Sequence, residues 1–112
     1  MTTVAAKSTT LISKTQAKKL LGIDSQDTIN SYFKEFNLFE REYVNWDDIR
    51  NILKLQMFLG LKPGRFSKQM FHRFTNEEMD TLLLGRGFNV DDRLNAIKAQ
   101  YYQEHREQVP QF

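Results

Sequence analysis

"SKTQAKKLLGIDSQDTINSYFKEF", residues 13–36, holds two short helical patterns separated by Gly22. Ser13 suits an N-cap, and Gln16 three residues later completes the pattern of a capping box, with Ile12 and Ala17 at the hydrophobic-staple positions. The first helix is expected to run to about Leu21, with Ala17, Leu20 and Leu21 inward and Lys14, Lys18 and Lys19 outward. Gly22 ends it by tolerating positive φ. Asp24 or Ser25 opens the second helix, where Ile29, Tyr32, Phe33 and Phe36 share one apolar face. Asp27, Asn30, Ser31 and Lys34 fall on the opposite face, and Asn37 suits a left-handed close. The order helix, glycine turn, helix with a polar outer face is that of a helix-turn-helix; two helices of any small bundle show the same.

The surrounding chain narrows the choice. "LFEREYV", residues 38–44, reads as a very small β-hairpin with Arg41 at its tip. Asn45 then caps a stronger helix, with Asp47 and Asp48 in its first turn, where the helix dipole favours anions. Its periodic set is Ile49, Ile52, Leu53, Gln56, Met57 and Leu59, and Gly60 ends it. Trp46 is expected to anchor packing under the wing. Pro63 and Gly64 suit a type II turn, and residues 67–73 a short helix with Met70 and Phe71 in the core. Thr75 and Glu78 form a second capping box before a helix that turns Met79, Leu82 and Leu83 inward and stops at Gly85. Asn89 caps a last helix running to about Gln108. Val90, Leu94, Ile97 and Tyr101 give it a narrow apolar seam, the rhythm of helix pairing, which suits packing back on the third helix or pairing with a two-fold partner copy. In the second case Leu94→Glu with Ile97→Glu would yield monomers.

The 112 residues suit one modest core, and 40% hydrophobic with 27% charged residues indicates a globular chain. Residues 1–10 read as a mobile tail in which Lys7 is basic. The absence of cysteine removes disulfides, thiolate metal sites and thiol nucleophiles. No apolar run approaches the roughly 20 residues of a membrane helix, and the start has no signal-peptide core. His72 and His105 lie far apart with no metal-ligand spacing, so neither a metal site nor a cofactor is expected, and no catalytic set emerges; the chain is not expected to be an enzyme. Net charge is only +2, yet residues 1–74 carry 12 Lys/Arg against 7 Asp/Glu and residues 75–112 carry 4 against 7. A basic front suggests a polyanion partner.

The ordered parts resemble the DNA-binding domain of the MerR family of winged-helix transcription regulators. The matching pieces are "ISKTQAKKLLGI", "TINSYFKEFNL", "YVNWDDIRNILKLQMFLGL" and "FSKQMF", spanning residues 11 to about 74. The plan is similar to that of compact MerR-like repressors beside CRISPR-associated transposons and of phage excisionases. Asn30 stands where the family usually has Arg, the stretch from Gly22 to Leu38 is slightly longer, the wing is short, and the cysteines of the metal-sensing members are missing.

The resemblance implies a mainly α fold: a winged helix-turn-helix over 11–74 with a minimal hairpin wing, then a helical dimerisation extension over 75–112. It also implies a dimeric, cytoplasmic, nucleoid-associated repressor that occludes an operator in double-stranded DNA, without a small-molecule effector. In that mode the second helix lies in the major groove. Gln26 and Asn30 pair with adenine, Asp27 accepts from a cytosine amine or orients a neighbour, and Ser31 meets base or phosphate. Lys14, Thr15, Lys18, Lys19, Lys34 and the Tyr32 hydroxyl serve the backbone, and Arg41 the minor groove. The alternative expectation is a protein–protein interaction module on the same fold without DNA binding.

Overall fold

A computed structural model describes residues 10–61 and 67–104. Lys7, the expected Pro63–Gly64 turn, His105 and the end of the last helix near Gln108 lie outside the described residues. In chain order the elements are β1 (Ile12–Ser13), α1 (Lys14–Leu20), α2 (Gln26–Glu35), β2 (Tyr43–Val44), α3 (Trp46–Leu59), α4 (Lys68–Phe71), α5 (Asn76–Gly85) and α6 (Val90–Glu104). The protein is thus mainly helical, with one small antiparallel strand pair.

Local hydrogen bonding sets most boundaries. Ser13 Oγ accepts from the Gln16 amide and Ser25 Oγ from the Thr28 amide, which starts α1 and α2. Asn45 with Asp48, and Thr75 with Glu78, close reciprocal capping boxes at α3 and α5. Asn89 Oδ1 accepts from the Asp92 amide at 3.0 Å to open α6. Gly22, at φ +70°, and Asn37, at φ 59°, take the left-handed turns after α1 and α2. After α5 that turn falls at Gly87, φ +90°, not at Gly85, which stays within the helix.

Three expectations are corrected. The first concerns the wing. Tyr43–Val44 does not fold back on residues 38–42; it pairs with Ile12–Ser13, register Ile12↔Val44, across the two intervening helices. Residues 38–42 form a turn instead, because Leu38 drops into the core (2% exposed) and its amide bonds the Phe33 carbonyl at 2.8 Å. The second concerns the first capping box. The Gln16 side chain does not return to Ser13; its Nε2 donates to Glu104 Oε1 at 3.1 Å, since the end of α6 brings a carboxylate against α1.

The third concerns the seam of α6. Val90, Leu94, Ile97 and Tyr101 are 3%, 6%, 1% and 4% exposed within the single chain, in the same core cluster as Ile49, Ile52 and Phe58 of α3. A partner copy cannot reach residues already covered, so these four side chains are core and not a dimer seam. One cluster runs from Ile12 to Tyr101, so the core does not break between residues 74 and 75. Trp46 anchors this packing. Its Nε1 donates to the Tyr102 hydroxyl at 3.2 Å and its ring meets Tyr101 edge-on at 5.5 Å. Thr10 also reaches the Tyr102 hydroxyl, 3.1 Å away, which ties down the end of the expected tail. Burial, and then the neighbouring Tyr102, raise the Tyr101 phenol above its usual value.

A charged network joins α3 to the last two helices. Lys54, 1% exposed, ion-pairs with Asp80 at 3.0 Å and donates to the Asn76 carbonyl and Oδ1, both at 3.4 Å. Asp80 Oδ1 has no aligned hydrogen-bond donor, so its contact with Lys54 is electrostatic rather than directional. Arg50 donates to Asp91 at 2.9 Å and to Asp80 at 3.3 Å. The Asp91 bond foremost raises the Arg50 guanidinium's pKa, and the Arg50 bond holds the Asp91 carboxyl below its usual 3.8. A carboxylate with a depressed folded-state pKa stabilises above its unfolded pKa and loses that contribution as pH falls through the folded one. Wild type is therefore expected to exceed Asp91→Asn slightly in stability at neutral pH, with the gap closing below about pH 4. Urea titrations at several pH values check this; a gap that persists in acid contradicts it.

Candidate nucleic-acid interface

The polar side of α2 is presented much as its spacing predicts. Gln26, Asp27 and Lys34 are exposed, and Asn30 and Ser31 are half-buried. Burial of Ile29 and Phe33 on the other side, 0% and 1% exposed, fixes that orientation. Gln26 Nε2 donates to Asn30 Oδ1 at 2.9 Å, one turn along. This bond uses the Asn30 oxygen, leaves its amide hydrogens as donors, and holds the two side chains as a unit. Ser31 Oγ donates to the Thr28 carbonyl at 2.8 Å, so its hydroxyl can only accept from a ligand without breaking that bond.

The basic residues divide into groups. Lys14 of α1 and Lys34 of α2 converge on Phe39 in the turn after α2. Their Nζ atoms stand 4.9 and 4.7 Å from its ring centroid. Lys14 also donates to the Phe39 carbonyl at 2.6 Å and lies 4.7 Å from the Phe33 ring centre. Neither ammonium is ion-paired with a described residue. Lys19, by contrast, faces α6, with Glu104 3.7 Å away. Arg41 lies 3.7 Å from Asp48, at the start of α3. In both pairs the cation is more than half exposed and the separation is long, so they contribute little. Thr15 is exposed and Lys18 half-buried on α1. Tyr32 is half-buried, and burial raises its phenol pKa, so at neutral pH the hydroxyl is protonated and able to donate.

Two residues absent from the sequence reading belong to this surface. Phe39 is 39% exposed although large and apolar. Lys68, the first residue of α4, places its ammonium 5.8 Å from the Tyr32 ring centre and so brings a third cation beside α2. The signal for Phe39 was an aromatic residue just ahead of the charged run "ERE"; for Lys68 the tertiary fold alone supplies it. His72 faces away from this cluster of cations: its Nε2 lies 3.0 Å from Glu35 Oε1 and its ring packs on Phe36 and Phe71.

Among the described residues no group of three or more His, Asp or Glu side chains is placed to hold a metal ion, and no helix is long and apolar enough to cross a membrane. Comparison with protein-family models, with curated proteins and with solved structures gives no match to this chain.

Proposed function

We propose that this protein binds double-stranded DNA with sequence preference and acts as a transcription regulator, by occluding an operator. The observation that carries this reading is the polar side of α2, where Gln26 and Asn30 are joined by a hydrogen bond and Lys34 follows one turn on, converging with Lys14 on Phe39 without an ion-pair partner among the described residues. Such a surface has hydrogen-bonding side chains suited to adenine edges and cations suited to phosphate. The MerR-like order of parts in the sequence supports the same reading. Phosphate contacts would supply most of the affinity, so binding should weaken steeply with salt. With the apolar seam of α6 enclosed in the fold, the proposal requires only one copy per site. Symmetry in the selected DNA sites would report a second.

Gel shifts with random and genomic duplexes at low and moderate salt test the proposal. Retardation that fades as salt rises is the expected result. No retardation at any salt would favour a module that binds other proteins. Asn30→Ala is expected to leave the melting temperature unchanged while reducing discrimination at one base position, by about 1–3 kcal/mol for a lost bidentate contact. Selection from a random library should show that position relaxed; an identical selected motif would contradict the assignment.

A further inference from the structure

Phe39 is a large apolar ring held out in water by a turn that has little freedom. Asn37 takes its left-handed conformation, and its amide bonds the Lys34 carbonyl at 3.2 Å. Leu38 is anchored in the core, and the Arg41 amide bonds the Leu38 carbonyl at 3.0 Å. Lys14 then fastens the Phe39 carbonyl itself at 2.6 Å. The ring is also not isolated: two ammonium groups from two different helices rest against it, neither in an ion pair with a described residue. Glu40 lines the same shallow depression as Lys34, Asn37 and Phe39 but forms no ion pair within 4.0 Å with either lysine. An aromatic platform between two cations outside any ion pair of the described residues matches the repeating chemistry of a nucleic-acid strand, in which phosphates flank an apolar sugar and base.

We infer that Phe39 is a wedge that packs against a base step of bound duplex DNA and bends it, with Lys14 and Lys34 on the phosphates to either side. This rests on the DNA-binding reading above and adds a contact to it. On binding, Lys34 leaves the ring for phosphate and uncovers it for the base step, while Lys14 keeps its bond to the Phe39 carbonyl and turns its remaining N–H donors to phosphate. Partial unstacking by an apolar side chain costs some free energy and is offset by the extra surface that a bent duplex brings to the protein. Phe39 deforms the DNA, whereas Gln26 and Asn30 read it.

The test uses the full chain and duplexes selected by wild type from a random-sequence library, labelled at both ends. Anisotropy across a salt series gives affinity and its salt slope; energy transfer between the ends gives the bend. Wild type is expected to bind and shorten the end-to-end distance. Phe39→Ala is expected to keep the salt slope, lose most of the bend and weaken binding about fivefold to a hundredfold, the range for removing one aromatic–base contact. Phe39→Trp is expected to retain the bend. Because Phe39 lies at the surface, a melting curve for Phe39→Ala matching wild type confirms that folding is unaffected. If Phe39→Ala binds and bends like wild type, the wedge is overturned while DNA binding stands. If wild type enriches no duplex, both fall together.

Discussion

Leu94→Glu combined with Ile97→Glu is expected to leave no cooperative unfolding transition, and not to produce a folded monomer. Both side chains are enclosed, 6% and 1% exposed, in the core shared by α3 and α6. Truncating one buried Leu or Ile already costs about 2–5 kcal/mol. Placing a carboxylate there adds several kcal/mol for each ion deprived of water with no cation to meet it. A domain of this size has roughly 5–15 kcal/mol of total stability, so the two changes together exceed it. Circular dichroism during heating, with sedimentation of the same sample, measures the outcome. A well-folded variant, monomeric where wild type is dimeric, would show that α6 uses this face between copies instead.

The second large effect concerns the ion pair beneath α5. Asp80→Ala is expected to destabilise by about 3 kcal/mol, near the lower end for a buried ion that loses its partner, because Asp80 itself is partly open to water. Among the described residues Lys54 would keep its two long hydrogen bonds to Asn76, both 3.4 Å, and Arg50 its bond to Asp91. Lys54→Met should behave differently. It removes the buried charge along with the need for a partner and fills the same space with an apolar chain, while Asp80 retains Arg50. The expected change is within about 1 kcal/mol in either direction. Chemical denaturation of both variants decides the matter. Equal losses would show that the Lys54–Asp80 pair is itself net stabilising, so that removing either charge costs the same; no loss for Asp80→Ala would show that water already compensates the ammonium.

The parts of the candidate site differ in how far the sequence revealed them. The outward face of α2 could be read because Ile29 and Phe33 fix its orientation, and a helix that buries one face must expose the other. The convergence of Lys14 and Lys34 on Phe39 could not, since the three residues belong to different elements and meet only once the turn after α2 is set by Leu38. Lys19 read as solvent-facing and Gln16 as half of a capping box for the same reason: nothing local announces that Glu104 of α6 arrives beside them. Lys54 was invisible as a core residue because its type reads as polar at every helical position. Its burial is made tolerable by Asp80 on another helix.

By itself the sequence determined where helices start and which face of each is apolar. Caps such as Ser13, Asn45 and Thr75 act over three residues, and periodicity acts within a single helix, so both are settled before the chain folds on itself. Only the tertiary structure decided what each face meets. It turned the seam of Val90, Leu94, Ile97 and Tyr101 inward onto α3, paired Tyr43–Val44 with Ile12–Ser13, and left Phe39 outside between two lysines. The physical reason is that burial is non-directional: an apolar stripe fixes how much surface must leave water but not which partner covers it.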